Sequence, residues 1–331
     1  AWKGWLEERE RFRSSVARLI KAPGGDCIVP KSSAGQGLRA VLNSYDRPIE
    51  VLTTKDEFDS VDFILKVYAR RGRINLRYAR PDSTAHYGME QLLGQLAPDL
   101  DLIVISLVMF TTGQLMHPLR QLVDKAHAMD IRVLIDLYHG AGVVPIDILD
   151  LGADFAIGGC YKYLRGGPGT GWLYVHPGHL ERGLRTLDTG WYAQPNPFEF
   201  NRNDETHFAP GGNAWLESTP AVVPYFQARA GLAFTEAIGV ERLREYSIRQ
   251  QDLLQNELAA LGVPVSGYAR ERGAFLSIRL TAAANLVQRL RRAGILADAR
   301  SDSLRLCPDI LNRERELRAT AEQIARLIAR G

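Results

Sequence analysis

The sequence predicts an α/β protein with a mostly parallel central sheet, helices on both of its faces, and a small C-terminal α+β domain. Three observations carry this. Short apolar runs alternate with segments of helical period from about residue 27 to 158, the pattern of consecutive β-α-β units. The runs at 102–105 and 133–135 are apolar at every residue rather than at alternate ones, so those strands are covered on both sides. After Val263 the order changes to three short strands around one helix.

Taken in order, Trp5, Phe12, Val16, Leu19 and Ile20 recur at helical spacing, which predicts one amphipathic helix over 2–21. The chain opens at Ala1 inside that pattern and without a Met, so residues upstream of it are expected. Gly24 and Gly25 break the helix before a strand at 27–29, and Lys31-Ser32-Ser33-Ala34-Gly35 leads into a helix ending at Asn43. Free N–H groups and small residues at such a helix start suit a phosphate, although capping explains the serines equally well. Strands follow at 49–52, 74–77 and 102–107, with helices from just past Ser60 to Arg70, at 88–96 and at 118–129. The glycine-rich turn 166–171 leads into an antiparallel strand at 172–175; it lacks the Lys-Ser/Thr of a P-loop. Residues 186–220 are irregular and aromatic, and 221–260 are one long helix or two. Strands at 275–280, 295–298 and 304–307, a helix at 282–293 and a last helix at 313–330 form the small domain. The expected division is a large domain over 22–230 and a small one over 231–331, with the helix at 1–21 packing against the small one.

Composition narrows the function classes. The chain has 331 residues, is 46% hydrophobic and 24% charged, and has a net charge of +3 with the two signs intermixed. It has neither the clustered basic face of a nucleic-acid binder nor an apolar run near the ~20 residues of a membrane span. Cys27, Cys160 and Cys307 are too far apart for a metal-ligand spacing or a disulfide framework, so no metal is expected and a reducing cytoplasm is.

Two strand ends carry the chemistry. The run at 133–137 delivers Asp136 and, three residues on, His139; the run at 154–159 delivers Tyr161 and Lys162. In parallel α/β sheets ligands sit at the carboxyl ends of strands, so these groups converge. A lysine amine for a Schiff base, an acid for a pyridine nitrogen, an imidazole for the ring face and donors for a phosphate are what pyridoxal 5'-phosphate (PLP) requires. Singly, each has an ordinary alternative: a cap, a solvated lysine, a core histidine.

Asp136-x-x-His139, the strand opening at Asp154-Phe155 and Tyr161-Lys162-Tyr163-Leu164 before a Gly-Pro-Gly turn resemble the kynureninases, fold type I PLP enzymes of the aminotransferase class V group. The resemblance extends to Gly190-Trp191, Glu217-Ser218-Thr219-Pro220, Asp298-x-Arg300 and the segment from Leu304-Arg305 to Asn312. It implies a PLP-dependent hydrolase of tryptophan catabolism that cleaves the Cβ–Cγ bond of L-kynurenine, or its 3-hydroxy form, giving anthranilate or 3-hydroxyanthranilate and L-alanine. By the same resemblance Lys162 is the Schiff-base lysine and Asp136 the pyridinium partner, with His139 near the cofactor. Tyr161 is a phosphate ligand that assists proton transfer, and Phe58 stacks on the ring. Ser33, Ala34 and Ser60 match phosphate-contacting positions. Trp191 and Thr219 match positions that reach the partner's cofactor in a homodimer, and Arg305 matches the substrate-carboxylate position.

The chain departs from the family pattern at Phe58-Asp59-Ser60-Val61, at Ala34 where Thr is common and at Cys160 where Ser is usual. Those changes, and an altered N-terminal segment, bear on the substrate rather than on PLP. The alternative is a kynureninase-like class V aminotransferase or another PLP-dependent lyase acting on a different amino acid. Cysteine desulfurases carry Asp-x-x-Gln and a His directly before the Lys, where this chain has His139 and Tyr161.

Overall fold

The structure is a computed structural model describing residues 2–200, 202, 204–265 and 267–329. Helix α1 (Trp2–Ile20) leads to β1 (Ile28–Lys31), after which α2 (Ala34–Leu42), β2 (Ile49–Thr54), α3 (Asp59–Arg70) and β3 (Ile74–Ala79) alternate. Next come α4 (Met89–Leu93), β4 (Leu102–Ser106), α5 (Leu119–His127), β5 (Arg132–Asp136), α6 (Ile148–Leu151), β6 (Phe155–Gly159), β7 (Gly171–Val175) and α7 (Pro177–Glu181). Short 3-10 turns connect α7 to α8 (Val223–Ile238) and α9 (Val240–Ala260). The chain ends with β8 (Leu276–Arg279), α10 (Ala283–Arg292), β9 (Asp298–Arg300), β10 (Ser303–Leu306) and α11 (Glu314–Ala329).

Seven strands form the large sheet in the order β1-β7-β6-β5-β4-β2-β3. Pairing is parallel from β3 through β6, while β7 runs antiparallel to both β6 and β1. Side chains sort by parity. Ile103, Ile105, Val133, Ile135 and Ala156 join one core, whereas Leu102, Val104, Leu134, Phe155 and Ile157 join the core on the other face. This is why the strand sequences are apolar without alternation. The chain passes outward from β2 to β3 and then returns to β4 on the other side of β2, which makes the β2–β4 boundary a topological switch point. A second, antiparallel sheet, β8-β10-β9, has its own core with α9, α10 and α11.

The segment at 221–260, read as one long helix or two, is two, broken at Gly239, whose φ of +87° suits a residue without Cβ. Three details differ from the sequence reading. The strand expected at 295–298 lies at Asp298–Arg300. Leu296 is 84% exposed, so the apolar run beside it is a surface approach rather than a core strand. The short helices α6 and α7 were not foreseen. Helix α1, expected on the small domain, instead places Phe12, Val16, Ala17 and Ile20 in the core of the large sheet, with Phe12 stacked on Tyr225 of α8 at 5.1 Å.

Asp154 locks the far end of this sheet. Its carboxylate accepts from the Val133 N–H at 2.7 Å and meets His127 Nε2 at 2.8 Å and His179 Nε2 at 2.6 Å, tying β5, α5 and α7 together. Burial opposes the charge, but these bonds outweigh it and hold the carboxyl below its ordinary value. We expect Asp154→Asn to cost roughly 2–3 kcal/mol, the scale of hydrogen bonds to a charged group. A depressed carboxyl contributes stability above its unfolded pKa and loses it as pH falls through the folded value. Thermal melts should therefore show the full wild-type advantage at neutral pH, shrinking once pH drops below 3.8, the ordinary carboxyl value. An equal gap at every pH would refute this role.

Candidate active site

The site forms where β5 and β6 end side by side. Gly159 closes β6; a Cβ there would lie 2.5 Å from the Tyr138 ring, so glycine lets that ring pack against the strand end. The loop beyond is pinned by Cys160 N–H donating to Thr170 O at 2.9 Å and Gly166 N–H donating to Cys160 O at 2.7 Å. It presents Lys162 inward. The Lys162 amine donates to Nε2 of His139 at 2.5 Å and lies 5.3 Å from the Phe58 ring centroid and 5.2 Å from that of Tyr138. Asp136, the last residue of β5, is 4% exposed and accepts the Tyr138 N–H at 2.8 Å.

Burial governs the protonation of all three groups. It lifts Asp136 to about 6, against the Tyr138 N–H and the charge of Lys162. It lowers Lys162 to about 8; Asp136 opposes that shift, and Arg305 and Arg300 add to it. His139 is pushed well below its ordinary value by burial first and then by Lys162, Arg305 and Arg300. A neutral imidazole is consistent with its accepting a hydrogen bond from the lysine.

The small sheet supplies the opposite wall. Arg305, on β10, donates to Phe110 O at 2.6 Å and lies 3.3 Å from an Asp298 carboxylate oxygen. Its guanidinium sits 4.9 Å from the Phe110 ring and 4.6 Å from the Phe275 ring. Both rings also neighbour His139, at 5.7 and 6.1 Å, so Arg305 faces the lysine–imidazole pair across two aromatic side chains. Arg300 pairs with Asp298 at 2.6 Å and covers Phe110 at 5.3 Å. A cleft of about 1200 Å³, lined by Asp56, Thr111, Thr112, Gln114, Arg270 and Arg300 among others, opens beside this wall. Lys162 and Asp136 are not among its lining residues; Arg300 and Phe110 connect it to them.

The sequence-predicted residues divide into those brought together and those held apart. Lys162, His139, Asp136, Phe58 and Arg305 share one locality. Ser33 caps α2, its hydroxyl accepting from Gln36 N–H at 3.3 Å, with Ala34 buried behind it. A Cβ on Gly171 would lie 2.9 Å from the Ser33 backbone, and Gly171 pairs with Gly159, so the helix start sits one strand from the lysine loop. Ser60 is exposed in the first turn of α3, and Tyr161 is 60% exposed. Trp191 packs with Trp2, Tyr192, Phe198 and Phe200 in a separate aromatic cluster. Thr219 shares a small surface cleft with Lys31, Ser32 and Gln36. The sequence reading gave no site role to Glu57, Tyr138, Phe110 and Phe275, and took Arg300 only as part of the segment resembling the family's substrate-carboxylate segment. Of these, only the aromatic residues at strand ends left any signal.

A lysine, a buried carboxyl and an imidazole gather at the carboxyl ends of neighbouring strands, and the sheet with its flanking helices has the fold of the type I PLP enzymes. The chain belongs to the aminotransferase class-V family, whose profile matches residues 5–319. Within that family it is kynureninase-like. It is 28% identical to the kynureninase of Xanthomonas oryzae pv. oryzae, over 97% of this chain and 81% of that protein. It is 30% identical to the kynureninase of Deinococcus radiodurans, over 94% and 74% respectively. Among solved structures, the cystine C–S lyase C-DES in complex with cysteine persulfide superposes with a TM-score of 0.87 at 22% identity, covering 98% of this chain and 88% of that one. A cysteine desulfurase from Thermococcus onnurineus gives 0.87 at 17%, covering 99% and 86%. At those identities the structures establish the fold alone.

PLP is the cofactor of this family, and the donor set suits it. A primary amine lies 5.3 and 5.2 Å from two aromatic ring centroids, within electrostatic reach of a buried acid, with a serine-rich helix start one strand away. If Lys162 is the amine that PLP joins, it must be unprotonated to react, and a value of about 8 then predicts a pH-dependent uptake of PLP by the apo protein. The rate should rise about tenfold per pH unit below that value and level off above it. A rate that is flat across pH 8 would exclude Lys162 as the attacking amine.

Proposed function

We propose that this enzyme is a kynureninase-type hydrolase, adding water across the Cβ–Cγ bond of L-kynurenine, or its 3-hydroxy form, to release anthranilate or 3-hydroxyanthranilate and L-alanine. The observation that carries the proposal is the approach of Arg305 from the small sheet to the Lys162–His139 pair, together with the kynureninase relatives. Bound PLP supplies the electron sink that makes the substrate Cα–H acidic. Asp136 would hold the ring nitrogen, Phe58 would pack on the ring, and Ser33, the Ala34 N–H, Ser60 and Tyr161 would hold the phosphate. Arg305 would grip the α-carboxylate with the Nη2 side of its guanidinium, which Phe110 O leaves free and Asp298 meets at 3.3 Å. That grip orients the Cα–H toward Lys162, whose amine takes the proton; a value of about 8 leaves a usable fraction unprotonated near neutrality. His139, kept neutral, accepts a hydrogen bond from the lysine and maintains its orientation. Tyr161 returns a proton to the alanine-forming carbon.

The reading includes a homodimer in which Trp191 and Thr219 reach the partner's cofactor. Trp191 lies in an aromatic cluster apart from its own Lys162, while Thr219 borders the surface cleft at the start of its own α2. Among the described residues no helix is long and apolar enough to cross a membrane. Three free, separate cysteines suit a reducing compartment, and we place the enzyme in the cytoplasm.

The deciding experiment incubates PLP-loaded protein with L-kynurenine and quantifies products. Equal amounts of anthranilate and alanine support the hydrolase. A keto acid with no anthranilate would replace it with a class V aminotransferase, and turnover only of a sulfur amino acid would point to a lyase.

A further inference from the structure

Glu57 is a buried carboxyl to which the proposed chemistry gives no task. It follows β2 at the switch point, directly before Phe58, and is 4% exposed. Burying a carboxylate is costly unless hydrogen bonds replace water, and here three do. Glu57 accepts from the Thr54 hydroxyl at 2.7 Å, the Ser106 hydroxyl at 2.5 Å and the Ser106 N–H at 3.2 Å. Ser106 ends β4 and is in register with Asp136 at the end of β5. Residues paired this way in a parallel ladder project on the same face from backbones about 4.8 Å apart. Glu57, Ser106 and Asp136 therefore form a row that ends at the acid beside Lys162.

The other charged groups nearby face elsewhere. Lys55 lies over the Tyr78 ring at 3.7 Å, and Asp56 accepts from Tyr87 at 2.7 Å and from Thr111 at 3.4 Å. Asp136 is the ionisable group that acts on Glu57, and Lys162 acts in turn on Asp136. Burial lifts Glu57 to about 7; the Ser106 and Thr54 hydroxyls oppose that shift and Asp136 adds to it.

We infer that Glu57 is a positioning residue whose charge, coupled to that of Asp136 in the same row, sets how tightly the cofactor ring nitrogen holds its proton. The inference rests on the reading of Asp136 as that nitrogen's partner. Two buried carboxyls of which one feels the charge of the other do not ionise independently. Between about 6, where Asp136 ionises, and about 7, where Glu57 does, Asp136 carries the single negative charge. Above neutrality both are charged, and a proton on the ring nitrogen is held more tightly.

Two measurements test this. In PLP-loaded protein, cofactor absorbance followed from about pH 5 to pH 9 should show an inflection near neutrality that E57Q abolishes. S106A, which removes one donor to the carboxylate, should move the same inflection upward by about half to one pH unit. An inflection unchanged in both variants overturns the inference. In apo protein, infrared titration should find a protonated carboxyl near neutrality that is missing in E57Q and ionises at lower pH in D136N. No shift in D136N overturns the link between the two acids. Failure to bind PLP at all would instead defeat the reading of Asp136, while the apo titration would still decide whether Glu57 and Asp136 interact. A carboxyl with a raised pKa loses its stabilising contribution as pH rises through the folded value. The melting temperature of E57Q above pH 7 should therefore be no lower than that of the wild type, which separates this role from a purely structural one.

Discussion

Replacing Lys162 by alanine is expected to lower turnover of L-kynurenine by at least ~10³-fold, on the scale of losing a positioned proton-transfer group together with its covalent role. The fold should survive. Lys162 occupies a loop whose backbone is pinned by Cys160, Gly166 and Thr170, none of which depends on the side chain. Burial disfavours its charge, so removing the amine relieves a desolvation cost rather than leaving a hole in the core. The change should also be felt by its neighbours. The charge of Lys162 holds Asp136 down and pushes His139 down. In K162A, Asp136 should therefore titrate higher and His139 closer to its ordinary range, both measurable by NMR in the apo protein. Near-normal turnover in K162A would remove the basis of the mechanism.

Arg305→Ala is the second large effect. Two charge-assisted bonds to a carboxylate are together worth about 3–4 kcal/mol, or roughly 10²–10³-fold in kcat/KM. Arg305 is well prepared for that task. Phe110 O and Asp298 fix its guanidinium, and the rings of Phe110 and Phe275 bracket it. Lysine keeps the charge but loses the planar fork, so R305K should recover only part of the loss. If the α-carboxylate is gripped equally in the ground and transition states, KM rises and kcat holds. If the grip tightens as Cα–H is attacked, kcat falls as well. A variant with unchanged kcat/KM would assign the carboxylate to another cation, with Arg300 the nearest candidate.

How much of this was readable from the sequence depends on distance along the chain. Asp136, His139 and Lys162 were legible because each stands at or just past the end of an unbroken apolar run, and such runs in β-α-β order fix where strand ends point. Arg305 was legible only through the resemblance: it reaches the site by pairing β10 against β8 and β9 and by packing on Phe110, 195 residues away. No local period encodes that encounter. The same holds for Glu57, whose partner Ser106 is 49 residues distant. It was passed over because an acid beside Asp56 in a post-strand turn looks like an ordinary solvated one. Helix α1 shows a related limit. Its pattern revealed an apolar face but not its neighbour, and Phe12 found Tyr225 rather than a residue of the small domain. At β9 apolarity misled, because that short strand is made by pairing Ala299 and Arg300 with β10 rather than by burying Ile295 and Leu296.

Everything proposed for this site depends on Lys162 being the residue that PLP joins. Borohydride reduction of the PLP-loaded protein, followed by proteolysis and mass spectrometry, reads this directly. The account predicts one modified peptide, carrying the reduced cofactor's added mass on Lys162. The added mass on a different lysine, or on none, would contradict it.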